Sequence, residues 1–441
     1  MKQHSQETKD KIKKTLKVTR ERHNKMDCKV YELKIVNNKL PKSKRETLDR
    51  FFLEAKWMKN HILAGDIKQA TPSIKTADIK LPDGSYETRD LKNLGSHMRQ
   101  SILSGIKGDL KSLKESKNKG RKVGKLKFAK EVKSIDLKEY GNTYKIDRDT
   151  QKVKIQNLGW VRVRGLGNIP EDVELANAKL LKKADGYYIN VTTYRDKKNT
   201  PQREFIPGAL IGLDFGLKTG ITTSEKDYLN LYVEETDRLK RLQKKKARQV
   251  KGSNNYKKTM ELIKREYQKI DNKKDDMAYK LVSDLSHYEH VFFQDEMISN
   301  WKQRDGYVRG GKKIQKGILG RVKALLKTKD WVTMLSRGDA TTQTCICGVK
   351  NKHQLDQRLY FCGQCGYTDE RDAHSAKNMI RFGLSDKRYK TPQGLGKAPV
   401  EGITPTLHFN YLKGSASYHP LKQETDSLKM SNKTHSSLTS R

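Results

Sequence analysis

Hydrophobic and polar positions follow two different periods in the first half of the chain. Residues 28–36 alternate between apolar and polar side chains, as in a β-strand, whereas residues 44–63 and 91–113 carry apolar side chains at helical spacing. Between residues 132 and 194 the period of two returns in short segments separated by turn residues. The pattern predicts a small β-barrel or sheet that can include the early strand, with the helical segments inserted between.

The second half alternates short apolar runs with longer charged runs, and the prediction for it is an α/β domain. The predicted elements are a strand–turn–strand over 208–224, a helical hairpin over 237–287 with its turn at 252–255, a strand over 290–297, a helix over 312–327, a strand over 331–336 and a helix over 372–382. Together the two halves predict α/β plus a small β-barrel.

The charge balance of the chain indicates a protein that binds a polyanion. The 441 residues include 93 Lys and Arg against 52 Asp and Glu, for a formal net charge of +41. An ordinary metabolic enzyme has no use for such a surplus, whereas a long polyanion does, because neutralising phosphates releases counterions. Nucleic acid is therefore the expected partner, and a basic surface that serves solubility or a ribosomal-type role is the alternative.

The five cysteines do not form the framework of a secreted disulfide protein. Four of them are paired as Cys345 with Cys347 and Cys362 with Cys365, and the fifth, Cys28, is expected to be a small core residue of the early strand. The first residues lack an apolar signal region, and no apolar run approaches the length of a membrane span. These features predict a soluble, intracellular protein in a reducing compartment.

Four thiolates in this pattern suit a tetrahedral zinc ion. Such a zinc would be structural, since four protein ligands leave no open position. The spacing of Cys345 and Cys347 is one residue shorter than usual, so a degenerate knuckle held by packing remains the alternative, as does His353 as a substitute ligand.

Three carboxylates stand at the ends of predicted core elements. Asp214 ends one apolar strand, Glu296 ends another, and Asp372 opens the last helix. Each alone would more often be a turn or cap residue. Converged at one edge of a sheet, they would repel one another unless divalent cations bound between them, and two Mg²⁺ ions there would serve phosphodiester hydrolysis.

Four segments together resemble the TnpB family, the OrfB-type nucleases of insertion sequences, to which the smallest type V CRISPR effectors are similar. The segments are IGLDFGLKTGITTS, the basic helical pair over 241–270, the TTQTC…CGQCGY knuckle and the closing D-x-x-x-A-K-N-M-I. The resemblance is specific over 208–382, weaker over 28–205 and absent from both ends.

The resemblance implies an RNA-guided DNA endonuclease with a ribonuclease H-like (RuvC) domain. The implied organisation is a wedge β-barrel over 28–206 with a helical recognition insertion over about 42–120, followed by a RuvC-like nuclease domain over 207–384 with a zinc-binding target-nucleic-acid-binding insertion over about 340–368. Composition alone predicts the two ends: a basic arm over 1–27, as a solvated helix or a disordered segment, and a disordered basic tail over 385–441. With the resemblance, the expected location is the prokaryotic cytosol, in association with the nucleoid. The implied partners are a guide RNA and double-stranded target DNA, bound by a monomer or dimer per guide.

By the same resemblance, Asp214 matches the first RuvC aspartate and Asp372 the last. The strand register selects Glu296 as the middle ligand, with Asp295 as the alternative, because neighbouring residues of a strand point to opposite faces. His374 stands where the family often has Asn, and it would either contact substrate phosphate or pack.

Two readings compete with the insertion-sequence nuclease. A miniature CRISPR effector would keep the chemistry, and a nuclease-inactive RNA-guided DNA-binding repressor would require a broken carboxylate triad. The basic runs over 244–251 and 257–269 are expected to contact phosphates, with a solvated helix face as the alternative. Residues 299–313 form either a mobile basic lid or an ordinary solvated loop. Trp57, Trp160 and Trp301 are candidates for stacking on bases, with core packing as the alternative for each and the preferred expectation for Trp57.

Overall fold

The chain divides after Gln202 into two compact units, which we call the N-terminal and the C-terminal unit. The computed structural model describes residues 6–388 except 82, 218, 230, 303–310 and 355–356. Most of the predicted lid and nearly all of the predicted basic tail therefore lie outside the described residues. Within them, no helix combines the length and the apolar character needed to cross a membrane.

The N-terminal unit contains one seven-stranded sheet, three α-helices and a separate hairpin among its described residues. Its elements are α1 (Gln6–Asn24), β1 (Met26–Ile35), α2 (Lys42–Ala64), β2 (Thr76–Lys80), β3 (Tyr86–Asp90), α3 (Ser96–Asn118), β4 (Ser134–Leu137), β5 (Tyr144–Asp147), β6 (Lys152–Ile155), β7 (Gly159–Arg164), β8 (Glu174–Lys183) and β9 (Gly186–Asp196). The sheet order is β4-β8-β9-β1-β7-β6-β5, and β2 and β3 form a separate hairpin that the sequence pattern did not predict.

The early strand β1 lies between β9 and β7 and pairs antiparallel with both, which confirms that it joins the later strands. In sequence, α2 and α3 fall between β1 and β4, as expected of an insertion. The helix α2 buries its apolar stripe, including Phe51 and Trp57, in the core of this unit. In the described residues, β4 and β5 remain the two edges, so the observed form is a sheet that does not close into a barrel.

The C-terminal unit contains a five-stranded sheet, five helices and a small hairpin among its described residues. The elements are β10 (Ile206–Gly216), β11 (Gly220–Thr223), β12 (Tyr228–Leu229), α4 (Asp237–Ala247), α5 (Asn254–Leu285), β13 (Tyr288–Gln294), α6 (Gly311–Lys316), α7 (Leu319–Leu326), β14 (Val332–Leu335), β15 (Leu359–Phe361), β16 (Thr368–Glu370) and α8 (Arg371–Ser385). The sheet order is β12-β11-β10-β13-β14, with β10 antiparallel to β11 and parallel to β13.

The central strand β10 separates two apolar layers because its side chains alternate. Ile211, Leu213 and Phe215 belong to the large core that also contains residues of α5 and α7. Leu210 belongs to a smaller core with Met379 of α8. The helical hairpin that precedes β13 is confirmed, with α5 starting at Asn254 as the residues GSNN predicted.

Gly212 of β10 is a point of very close approach between strand and helix. A Cβ atom built at this position would lie 1.9 Å from the carbonyl oxygen of Ala376 in α8, which is closer than any real contact. The absence of a side chain at this one position therefore lets α8 lie directly against β10. A larger residue would push the helix, and everything it carries, away from the sheet.

We expect Gly212→Ala to destabilise the protein by at least about 2 kcal/mol, because the added methyl has no room without moving backbone. Gly320→Ala in α7 is the matched control, since a Cβ there meets nothing within 4 Å. The control substitution should be neutral or slightly stabilising in a helix. Thermal unfolding of the two full-length variants measures the difference, and equal melting temperatures would contradict the close approach.

The prediction of a single helix over 312–327 is wrong. Two helices, α6 and α7, are separated at Gly317 and Ile318. The break arises from pairing with the segment after β12, because Gly317 forms an antiparallel bridge with Tyr232 and the N–H of Ile318 donates to the carbonyl of Leu231. A local periodicity cannot reveal this competition between tertiary and helical hydrogen bonds.

The prediction that Cys28 is a core residue is also wrong, because its side chain is exposed. Only the second half of β1 faces the core, where Leu33 and Ile35 are fully buried. Residues 28–30 are all exposed, so the alternation of this segment does not report its burial.

Candidate active site and thiolate cluster

Asp214 lies near the carboxyl end of β10 and faces α8. The strand alternation places it on the same face as Gly212, where α8 lies closest. The hydroxyl of Ser375, one residue before Ala376, donates to Asp214 Oδ1 at 3.2 Å. The close approach at Gly212 thus brings a polar residue of the last helix to the carboxylate at the end of the first strand of this unit.

The pKa of Asp214 is raised to about 7, far above the ordinary value of an aspartate. Burial is the largest cause, followed by the charge of Asp372; the hydrogen bond from Ser375 opposes the shift, and Glu296 adds to it. Two of the predicted carboxylates therefore act electrostatically on the third. Such clustered acidic groups are typical of sites that bind cations.

Asp372 lies in the first turn of α8 and is 7% exposed. Arg358 reaches one of its oxygens at 3.3 Å, and Arg371 reaches the other at 3.4 Å. The position at a helix N-terminus also favours a carboxylate. Arg358, just before β15, is a residue that the sequence interpretation missed, although a cation between two cysteine pairs was a visible signal.

Glu296 and Asp295 follow β13, which runs parallel to β10 in register, with Leu213 opposite Phe293. Their acidic ends therefore meet the same edge of the sheet as Asp214. Asp295 forms ion pairs with Lys323 at 2.6 Å and Arg337 at 3.7 Å, and the hydrogen bond from Lys323 lowers its pKa. Asp295 is thus held by cations of the surrounding chain, whereas the charge of Glu296 acts on Asp214.

The four cysteines form a compact cluster. Their sulfur atoms all lie within 4.8 Å of one another, with Cys345 3.5 Å from Cys365 and Cys347 3.7 Å from Cys362. Four sulfurs around a tetrahedral zinc at bonds of about 2.3 Å would be about 3.8 Å apart, so the cluster fits a zinc ion despite the short Cys345–Cys347 spacing. Among the described residues, this is the only such group of three or more His, Cys, Asp and Glu side chains, and the three carboxylates are not drawn together to the same degree.

The thiols of the cluster titrate as interacting groups. Backbone N–H groups, first that of Cys365, lower the pKa of Cys362 to about 6. The backbone of Tyr367 acts on Cys365 in the same direction, but burial and the other thiols outweigh it and raise the pKa of Cys365 to about 12. The ionisation of each thiol therefore depends on its neighbours in the cluster.

The thiolate module, which we define as residues 339–370, is attached to α8 by buried polar contacts. His374 stacks on Tyr360 with ring centroids 3.7 Å apart, and its Nε2 lies 2.9 Å from the carbonyl oxygen of Thr344. Asn378 donates to the same carbonyl at 2.6 Å. His374 is fully buried and burial lowers its pKa to about 4, so this histidine packs as a neutral ring, the second of its two predicted roles.

Asp369 anchors the module a second time. Its buried carboxylate accepts from Lys377 of α8 at 2.6 Å and from Tyr367 at 2.8 Å, and it lies 3.0 Å from the ammonium group of Lys226. Burial alone would raise the pKa of Asp369, but these partners outweigh it and lower the pKa strongly. The start of α8, with Asp372, is therefore tied to the turn after β11.

The tryptophans divide between packing and exposure. Trp57 is 5% exposed and packs in the core, and Trp301 is partly buried against the core of the C-terminal unit. Trp160 on β7 is 39% exposed. Its exposure leaves Trp160 as the remaining candidate for stacking on bases.

His353, the alternative zinc ligand, lies against the ring of Tyr360 and is not part of the sulfur cluster.

Two family models match this chain, one on each side of the middle carboxylate. Residues 191–291 match OrfB_IS605, described as a probable transposase, and residues 323–379 match the Cas12f1-like TNB domain. These matches confirm the resemblance to OrfB-type proteins that the motifs predicted.

Among individual proteins, the Escherichia coli (strain K12) protein named "Putative RNA-guided DNA endonuclease InsQ" is 25% identical over 309 residues, covering 65% of this chain and 76% of InsQ. Two solved structures at 12% identity also align with the chain. The alignment with a chain of the Cas12f1-sgRNA-target DNA complex covers 64% of this chain and 70% of that chain, with a TM-score of 0.36. The alignment with a chain of the CRISPR-Cas12f ternary complex covers 80% of this chain and 81% of that chain, with a TM-score of 0.27.

Proposed function

We propose that this chain is an RNA-guided DNA endonuclease associated with an insertion sequence, and that Asp214, Glu296 and Asp372 are its catalytic carboxylates. The observation that carries the proposed site is the position of Asp214 near the end of β10, where Ser375 of α8 donates to its Oδ1 at 3.2 Å and the charges of the other two carboxylates act on it. The motif match to OrfB-type proteins and the similarity to InsQ support the guide RNA and the DNA target.

The strand order of the C-terminal unit supports a ribonuclease H-like (RuvC) assignment for it. An antiparallel trio, β12-β11-β10, continues into two strands parallel to β10. Asp214 lies near the carboxyl end of β10, Glu296 follows the adjacent parallel strand β13, and Asp372 lies in the first turn of α8, the helix that covers β10. In open sheets with parallel strands, ligands bind at the carboxyl ends of those strands.

The proposed cofactors are two Mg²⁺ ions at the carboxylates and one structural zinc in the thiolate module. Oxygen ligands suit Mg²⁺, and divalent cations would relieve the repulsion that raises the pKa of Asp214. When bound, the two ions would activate water and stabilise the leaving oxygen of a phosphodiester.

The protein side of the proposed mechanism rests on charge placement. Ser375 orients one oxygen of Asp214. Ion pairs with Arg358 and Arg371 hold the carboxylate of Asp372 at the N-terminus of α8. Arg358 is 42% exposed, so its guanidinium can also meet a phosphate that enters the site. The buried anchors of the thiolate module keep Arg358 and Asp372 at a fixed separation.

The proposed partners use the basic surplus of the chain. The hairpin of α4 and α5 carries exposed cations suited to nucleic-acid phosphates. Helix α1 of the arm over 1–27 carries them as well. We assign the wedge and recognition roles to residues 28–206, the nuclease role to 207–384 and an accessory basic role to 385–441. Base pairing between guide and target would supply sequence specificity, and the protein would recognise a short flanking motif.

A miniature CRISPR effector is the second candidate, favoured by the match of residues 323–379 to the Cas12f1-like TNB domain. The two candidates differ in genomic neighbours, since a spacer array or a mobile-element end would lie beside the gene. The central experiment purifies the protein expressed from its own locus and sequences the bound RNA. A discrete RNA that directs cleavage of matching DNA is expected, and absence of any discrete RNA would overturn the guide.

We expect Glu296→Gln to reduce guide-directed cleavage by at least about 100-fold, because it removes an anionic ligand from the proposed metal site. Asp295→Asn is the matched control, since it removes the same charge one residue earlier. Asp295 is paired with Lys323 and Arg337, so its loss should alter stability by no more than about 1 kcal/mol and leave cleavage nearly intact. Single-turnover cleavage rates of the two variants decide between Glu296 and Asp295 as the metal ligand. A larger loss of cleavage in Asp295→Asn than in Glu296→Gln would make Asp295 the ligand.

A further inference from the structure

A chain of buried polar side chains leads from the end of β13 to Asp214. The hydroxyl of Thr341 lies 3.1 Å from the hydroxyl of Ser375 and donates to Gln294 Oε1 at 3.2 Å. Ser375 in turn donates to Asp214 Oδ1. Ser375, Thr341 and Gln294 are 0%, 1% and 6% exposed, so water does not compete for these contacts.

The far end of the chain is fixed by backbone. The side-chain amide of Gln294 donates to the carbonyls of Ser336 and Asp339 at 2.9 and 2.7 Å, which sets the direction of its Oε1. The carbonyl of Thr341 accepts from Asn378 of α8 at 2.8 Å. Thr341 is therefore held from the strand side and from the helix side at once.

Proton counting gives the contacts a direction. An ionised carboxylate only accepts hydrogen bonds, so Ser375 donates its single hydroxyl proton to Asp214. In the contact between Ser375 and Thr341, the oxygen of Ser375 is therefore the acceptor and Thr341 is the donor. The proton of Thr341 is shared between Ser375 and Gln294. Within the described part of the chain, Ser375 is the one hydrogen-bond donor that reaches Asp214, and it engages Oδ1.

We propose that Ser375, Thr341 and Gln294 form a hydroxyl relay that positions the Asp214 carboxylate for cation binding. The inference rests on the proposed function, because it gives the relay a role at the same metal site. Ser375 and Thr341 are positioning residues, and neither hydroxyl needs to touch substrate. The relay also joins β13, which leads to Glu296, to α8, which carries Asp372, so one network sets all three carboxylates relative to each other.

The test compares three full-length, zinc-loaded variants with the wild type. Ser375→Ala removes the donor to Asp214, Thr341→Val removes a hydroxyl while keeping the shape, and Thr341→Ser keeps the hydroxyl while removing a methyl. Two quantities are measured: the affinity for Mn²⁺ by electron paramagnetic resonance without nucleic acid, and the Mg²⁺ concentration that gives half-maximal cleavage.

We expect Ser375→Ala to weaken Mn²⁺ binding and raise the half-maximal Mg²⁺ concentration by about 10-fold, as is usual when a residue that orients a metal ligand is lost. Thr341→Val should shift both in the same direction by about 3-fold, since it acts through Ser375, and Thr341→Ser should match the wild type. Unchanged metal affinity in Ser375→Ala would overturn the proposal, and so would equal effects of the two Thr341 variants.

The outcome is separable from the proposed function. Mn²⁺ affinity is read without cleavage, so a wild type that binds Mn²⁺ but cuts no DNA would overturn the nuclease and leave the relay standing. Melting temperatures of the same samples show whether each variant is folded. A metal-affinity loss in Thr341→Val that is absent from an equally stable Thr341→Ser supports the relay independently of packing.

Discussion

Asp214→Asn is expected to reduce guide-directed DNA cleavage by about 1,000-fold or more while the protein stays folded and guide-bound. Asparagine keeps the shape of the side chain but removes the charge that the proposed Mg²⁺ site needs. Asp237→Asn is the control, because this aspartate of the same unit has an 87% exposed side chain. Cleavage of labelled duplex DNA under single-turnover conditions measures the effect, and comparable rates for the two variants would remove Asp214 from the site.

The same substitution should stabilise the Mg²⁺-free protein at neutral and alkaline pH. The folded-state pKa of Asp214 is raised to about 7, above its unfolded value, so folding favours the protonated form. Ionised Asp214 therefore becomes a growing cost to stability as pH rises from about 4 through about 7. The gain from Asn should be on the order of 3 kcal/mol at pH 8 and close to zero at pH 4. Unfolding at both pH values, in buffer without Mg²⁺ and with zinc retained, checks the sign.

Cys362→Ser is expected to abolish zinc binding and to lower the free energy of unfolding by at least about 3 kcal/mol. The Cys362 side chain is fully buried and lies 3.7 Å from Cys347, so the substitution removes a ligand from the centre of the cluster. DNA cleavage should fall as well, since the thiolate module holds Arg358 and the start of α8.

Cys28→Ser is the natural comparison for that variant, because Cys28 is exposed and outside the cluster. Metal analysis should show about one zinc ion per chain in the wild type and in Cys28→Ser, and almost none in Cys362→Ser. Retention of zinc and of the wild-type melting temperature in Cys362→Ser would mean that the knuckle is held by packing alone.

The sequence predicted the elements that carry strong local patterns. The apolar strands before Asp214 and Glu296 form where expected, as does the helix of Asp372, because burial on a central strand leaves an unmistakable run of apolar residues. The break between α4 and α5 was equally clear from its turn residues. These local signals sufficed to predict the elements that carry Asp214 and Asp372 and the strand that precedes Glu296.

The contacts around the carboxylates could not be predicted in the same way. Ser375, Thr341 and Arg358 reach the site only because α8 lies against β10 at Gly212 and because the thiolate module folds back beside Asp372. Arg358 was visible as a cation between the two cysteine pairs, but its contact with Asp372 depends on tertiary structure, and Ser375 and Thr341 carry no local signal for their contacts. The predictions of one helix over 312–327 and of a buried Cys28 were wrong for a related reason. Tertiary pairing at Gly317 interrupts the helix, and the core does not extend to the first half of β1.

The docking of α8 on β10 has a consequence for the order of events during synthesis. Ser375 and Asp214 are 161 residues apart in the chain, and Asp372 lies in the same late helix as Ser375. A ribosome releases the chain from its N-terminus, so β10 emerges long before its partner. The proposed carboxylate site therefore stays incomplete until residues 371–385 have been synthesised, and a chain that stops before residue 371 would lack the proposed cleavage site.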